Sequence, residues 1–172
     1  NLYNTETRMR CAGIPETEIA LALDQQRAFF AARRDASAAD ALASITRAAS
    51  ERRVLADWLF PERVATGGPK QWYDVLDPDF DPRPIWAAYR GRSFFLFSEF
   101  DDSTPTGTAV ARLRETAAAG ARRIETLPGA QHIGMRAASI CDGDVARADA
   151  FHPDFFSVLD GWLAEIAGDA RS

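Results

Sequence analysis

Four apolar residues in succession, Phe94-Phe95-Leu96-Phe97, constrain this chain more than any other feature. The Arg90-Gly91-Arg92 turn precedes them, and the run Ser98-Glu99-Phe100-Asp101-Asp102-Ser103-Thr104-Pro105 follows. A short continuous apolar run bounded in this way predicts a strand buried on both faces, as in a parallel sheet covered by helices. An acidic pair stands where the strand ends, and Thr104-Pro105 can start a helix. In open α/β sheets functional groups collect at the carboxyl ends of strands, so these acids are candidates for chemistry.

The flanking segments extend the pattern. A helix from about Pro105 to Ala119, ended by Gly120, leads to a second strand, Arg122-Arg123-Ile124-Glu125-Thr126-Leu127, closed by Pro128-Gly129. A last helix from Pro153 to about Ala167 places Phe155, Phe156, Leu159, Trp162, Leu163 and Ile166 on its buried side. Strand, helix, strand, loop, helix is a βαβ unit with a terminal helix over it. Two parallel strands do not form an independent sheet, so the unit reads as the edge of a larger one.

Residues 4 to about 60 are Ala-rich and helical. A first helix over Thr5–Cys11 is stopped by Gly13. A second begins near Pro15, with Glu16 and Glu18 at its positive end, a stripe of Ile19, Ala22, Leu23, Phe29 and Phe30, and Arg33-Arg34 at its negative end. Ser37 and Asp40 resemble a capping box opening a third helix, which carries Leu42, Ile45, Ala49 and Leu55 and whose tail Trp58-Leu59-Phe60 meets Pro61. Gly67-Gly68-Pro69 and Asp77-Pro78-Asp79-Phe80-Asp81-Pro82-Arg83-Pro84 mark a long connection, with at most a turn of helix near Trp72 and a brief helix at Ile85–Tyr89. This is the internal boundary, dividing the chain into 1–76 and 77–172.

Composition narrows the classes. With 172 residues, 47% hydrophobic and 26% charged, the chain can bury a real core. A net charge of −5 argues against a general nucleic-acid binder, and no apolar run is long enough to span a membrane. Cys11 and Cys141 make neither a metal site nor a disulfide framework; a pairing between them is open, and two free thiols is the preferred reading. The chain begins at Asn1 with no Met and no signal peptide, as a piece of a larger protein would. The cytoplasm is slightly favoured as its compartment.

The chemistry centres on Pro128-Gly129-Ala130-Gln131-His132-Ile133-Gly134. His132 is held just past a strand end, as Asp101 is. Adjacent parallel strands put their carboxyl ends on one side, so the two can meet. A carboxylate on one imidazole nitrogen fixes the tautomer, and the other nitrogen can then act as a general base.

These segments resemble the α/β-hydrolase superfamily. Ser98-Glu99-Phe100-Asp101-Asp102-Ser103-Thr104-Pro105 is similar to G-x-x-D-x-x-V-P, which carries the triad acid, with Ser98 in place of Gly and Thr104 in place of Val. Leu127-Pro128-Gly129-Ala130-Gln131-His132 is similar to the histidine loop, and Pro153-Asp154-Phe155-Phe156 with Gly161-Trp162-Leu163 to the last helix. The front part, from Leu2-Tyr3-Asn4-Thr5-Glu6 through Phe30, resembles the lid of serine hydrolases related to prolyl oligopeptidase and dienelactone hydrolase. The resemblance implies an α/β fold: 1–76 a helical lid and 77–172 the C-terminal part of the hydrolase core. It implies Asp101 as the acid and His132 as the base of an esterase or peptidase-like enzyme acting on a small ester, an amide or a short peptide, without metal or cofactor. No G-x-S-x-G elbow exists among the 172 residues, and Ser98, Ser103 and Ser139 lack its context. The nucleophilic serine is therefore expected in an N-terminal half of the same hydrolase, which becomes this chain's partner. Alone, the chain is expected to be inactive and, with an unpaired strand edge, to associate.

Plainer readings compete. Asp101 alone could cap the following helix, although Asp102 fits that role better. His152 reads as the residue before a helix, and a metal site from His132, His152, Asp142 and Asp144 fits no standard spacing. Trp58, Phe60, Trp72 and Tyr73 fit lid–body packing better than an acyl pocket, and Arg33-Arg34 and Arg52-Arg53 fit solvated helix ends. The segment from Glu99 also resembles the D-x-D-x-T motif of haloacid-dehalogenase-type phosphatases, but Glu99 stands in for the nucleophilic Asp and Lys70 is the only lysine. The alternative outside enzymology is a helical interaction module on a degenerate hydrolase fold.

Overall fold

The computed structural model describes residues 2–34, 39–51, 81–116, 120–142 and 150–169. The expected Ser37 cap, the tail at Leu55 to Phe60, the connection with Trp72 and Tyr73, the arginines Arg52-Arg53, and Asp144 lie outside these residues. The chain divides into two units, Asn1–Phe80 and Asp81–Ser172.

The first unit is helical: α1 is Leu2–Cys11, α2 Glu16–Arg34 and α3 Ala39–Ser50. A Schellman motif ends α1. Gly13 takes φ +71, Gly13 N–H donates to the Arg10 carbonyl, and Ile14 N–H donates to the Met9 carbonyl at 3.0 Å. The same turn folds Ile14 back onto Met9, which with Ile19, Ala22 and Leu23 forms the buried cluster. Ile19, Ala22 and Leu23 follow helical spacing and form the packed part of the predicted stripe of α2, whereas Phe29 and Phe30 are only half-buried. Two glutamines accompany it into the interior, Gln25 and Gln26, and the amide of Gln26 donates to Thr5 Oγ1 at 2.6 Å. On the surface, Arg10 pairs with Glu6 and Glu16, and its hydrogen bond holds the Glu16 carboxyl below the usual range. Such exposed pairs add little stability.

In the second unit α4 (Arg83–Ala88), β1 (Ser93–Phe100), α5 (Thr106–Glu115), β2 (Arg122–Gln131) and α6 (Asp154–Asp169) follow in order, with a short 3-10 turn at Ile140–Asp142. The sheet is small and parallel, β1 beside β2, with Ser93 opposite Arg122 and Ser98 opposite Leu127. This is a mixed helix–strand arrangement of α/β type. Pro84 sits in the first turn of α4, where its missing N–H is harmless, and the Asp81 carboxylate accepts from Arg83 N at 3.0 Å. Hydrogen bonds from the Arg83 side chain then hold the Asp81 carboxyl below its ordinary range.

Alternate side chains of β1 meet different helices. Phe95 packs edge-on against Trp86 of α4 at 4.9 Å, and Phe94 stacks on Trp162 of α6 at 5.3 Å. Both faces are therefore covered, but Phe94 to Phe97 are half-buried rather than buried as the sequence predicts. Among the described residues β1 has a ladder partner on one edge only, which leaves these side chains partly open. The last helix departs similarly: Phe155, Leu159, Trp162 and Ile166 are partly covered, whereas Phe156 and Leu163 are exposed. The expected six-residue buried side is thus too wide. β2 also runs beyond its predicted end at Leu127, because a bulge absorbs Pro128 and Gly129.

Arg122 ties the unit together. Its Nη1 donates to the carbonyls of Leu113 and Thr116 at 2.7 and 3.1 Å, at the end of α5, and its Nη2 donates to Trp86 O in α4 at 2.9 Å. A cation at helix carboxyl termini meets the negative ends of their dipoles. Its guanidinium carbon lies 5.8 Å from the Phe95 ring centre. Arg122→Met is expected to lower stability by about 2–3 kcal/mol, since charge-assisted bonds to three carbonyls vanish. Urea unfolding checks this, and an unchanged midpoint would contradict it.

Neither Cys11 nor Cys141 is a free thiol, which corrects the preferred reading of two free thiols. No described helix is long and apolar enough to cross a membrane.

Candidate functional site

Asp101 follows β1 directly and is 6% exposed. Its Oδ1 accepts from the backbone N–H groups of Ser103 and Thr104 at 2.8 and 2.7 Å, which folds the chain after the strand into a tight Asx-type turn. Thr106 Oγ1 donates to the Ser98 carbonyl at 2.7 Å and ties the start of α5 to the end of β1. The carboxylate is thus fixed by backbone donors rather than by packing alone.

His132 comes from the other strand. Past the bulge the chain makes a close reversal: Gly134 N–H donates to the Gln131 carbonyl at 2.8 Å, and Gln131 N–H to the Met135 carbonyl at 2.8 Å. The returning segment pairs antiparallel, Ala130 with Arg136 and Met135 with Phe151. His132 therefore sits at a hairpin tip. Gly134 takes φ +76, and a Cβ there would overlap the Phe155 ring, so both the turn and the α6 contact require glycine.

The two residues meet. His132 Nδ1 lies 2.9 Å from Asp101 Oδ1 and 3.1 Å from Oδ2. An ionised carboxylate only accepts, so the proton on this bond belongs to Nδ1, and Nε2 is the ring nitrogen with a lone pair for a further partner. The carboxylate side chain is 8% exposed and the imidazole 45%, so the acid lies beneath and the base opens outward. Such a pair can accept a proton at Nε2 and hold the resulting cation against a buried anion.

The other candidates fall elsewhere. Asp102 is buried and accepts from Ser103 Oγ at 2.9 Å, while α5 has no side-chain cap; its expected capping role is corrected, because Asp101 takes the turn N–H groups instead. His152 accepts from Asp154 N–H through Nδ1 at 3.3 Å, at the start of α6. Asp142 accepts from the backbone of Ala138 and Ser139. Among the described residues no three His, Cys, Asp or Glu stand close enough to share a metal ion. A cleft of about 320 Å³ lined by Arg92, Arg122, Arg123, Trp162 and Glu165 lies at the amino ends of β1 and β2, away from Asp101 and His132. Its cations are engaged: Arg122 with carbonyls, Arg123 with Glu125 and Glu165.

Sequence reasoning weighed Glu99 only as a stand-in for a phosphatase nucleophile and did not single out Gln131. Glu99 Oε2 accepts from Gly129 N–H at 2.8 Å, and the Gln131 side chain, 1% exposed, is the largest polar one buried beside the histidine. Only the bulge reveals the first, and no spacing in the sequence encodes it. In comparisons with protein-family models, curated proteins and solved structures, nothing matched this chain.

Proposed function

We propose that this chain is the C-terminal part of an α/β-hydrolase that cleaves an ester or amide bond through an acyl-enzyme. Asp101 is the triad acid, His132 the base, and the nucleophilic serine lies outside these residues. Residues 1–76 form the lid. The observation that carries this reading is the Nδ1–carboxylate contact at 2.9 Å, with two backbone N–H groups holding the same oxygen.

The chemistry follows from that contact. As the serine oxygen attacks the carbonyl carbon, its proton passes to His132 Nε2, and Asp101 stabilises the imidazolium without taking the proton. The imidazolium then protonates the leaving group, and water repeats the sequence to release the acid. The three serines weighed for the role are poorly suited to it: Ser98 is buried, Ser103 Oγ donates to Asp102, and Ser139 Oγ accepts from Cys141 N–H.

A fluorophosphonate probe applied to the full-length gene product tests the assignment. It is expected to label one serine, which peptide mapping places before residue 1 of this chain. Labelling at Ser98, Ser103 or Ser139, or none at all, would contradict the proposal.

A further inference from the structure

We infer that Glu99 is a positioning residue that pins the histidine hairpin to the end of β1. Its functional meaning rests on the Asp101–His132 reading, but its geometry does not. The β1–β2 ladder runs in step from Ser93 opposite Arg122 to Ser98 opposite Leu127, and the next pair is Phe100 with Gln131. β2 therefore passes through Pro128, Gly129 and Ala130 where β1 passes through Glu99 alone. A bulge of this kind takes backbone groups out of the regular ladder, and each then needs another partner.

Glu99 supplies one. Its Oε2 accepts from Gly129 N–H at 2.8 Å, so a side chain of β1 stands where a strand carbonyl would. Gly129, at φ +72, also accepts from Ala137 N–H at 2.8 Å, on the returning side of the hairpin. One carboxylate thus fixes the residue at which the outgoing and returning segments are joined. His132 is three residues further on, and Asp101 is two residues beyond Glu99. The hairpin is held at its base by Glu99 and at its tip by Asp101, two acids from one strand end.

Besides the Phe100–Gln131 ladder pair, the Glu99 bond ties the base of the hairpin to β1, and this charge-assisted hold keeps Nδ1 in register with the carboxylate. Small displacements of a general base carry large rate penalties, so the base anchor matters to chemistry it does not touch.

The test is NMR on the full chain with 15N-labelled histidine and glycine, comparing wild type, Glu99→Ala, Glu99→Gln and Asp101→Asn. Glu99→Ala is expected to speed Gly129 amide exchange about tenfold, the loss of one charge-assisted hydrogen bond. It is also expected to turn the single His132 Nδ1–H tautomer into a mixture. Glu99→Gln retains an acceptor oxygen and is expected to keep most of both signals, which separates the anchor from a general loss of fold. Asp101→Asn is expected to change the His132 tautomer and leave Gly129 protected. Wild-type values at both probes in Glu99→Ala would overturn the inference, as would faster Gly129 exchange with an unmoved His132. An unchanged His132 in Asp101→Asn would instead sink the acid–base reading, while Gly129 exchange still reports whether Glu99 anchors the loop.

Discussion

On the proposed mechanism, Asp101→Asn is expected to lower ester turnover by the full-length gene product by about 10²–10⁴-fold, chiefly in kcat. The substitution preserves shape and keeps one oxygen for the N–H groups of Ser103 and Thr104, which now hold Oδ1 at 2.8 and 2.7 Å. The turn after β1 therefore has its acceptor still. What changes is the other edge of the side chain, which presents an amide donor to His132 Nδ1 where a carboxylate stood. Nδ1 lies 2.9 Å from Oδ1 and 3.1 Å from Oδ2, so the new amide donor competes with the retained oxygen for it. Where Nδ1 accepts, the ring proton moves to Nε2, which then cannot take a proton from the nucleophile. The imidazolium also loses the anion beneath it. Steady-state kinetics on a p-nitrophenyl ester, with circular dichroism to show an intact fold, checks the prediction. A variant within a few-fold of wild type would remove Asp101 from the mechanism.

The meeting of Asp101 and His132 was legible because parallel strands align their carboxyl ends. Phe94 to Phe97 marked one strand, residues 122–127 the other, and the residues past each end had to be neighbours. The apolar stripe Ile19, Ala22 and Leu23 was legible for a similar reason, since helical periodicity is local. The misread parts are those decided by groups distant in sequence. Whether Asp101 or Asp102 takes the turn N–H groups depends on how the chain leaves β1, which neither residue type determines. Gln25 and Gln26 are buried because Thr5 of another helix offers a hydroxyl to one of them, a partner no window around α2 contains. Phe156 and Leu163 were assigned to a buried face because they are apolar, but what covers a face is a property of neighbouring elements. The continuation of β2 through Pro128 needed the bulge, and with it the role of Glu99.

His132→Ala carries the largest expected effect, because it removes the group that moves every proton in the proposed reaction. The imidazole is the partner of a buried carboxylate fixed by backbone N–H groups, and its removal leaves that carboxylate without the ring it orients. The loss in kcat/KM is expected to be about 10³-fold or more, above the usual worth of one general base because the same residue serves twice. Truncation at a hairpin tip whose imidazole is 45% exposed leaves little cavity, so folding should survive it. The decisive measurement is p-nitrophenyl ester turnover by the full-length gene product with and without His132→Ala. The account predicts turnover in the wild type and its near-complete loss in the variant at unchanged fold; equal turnover in the two would contradict it.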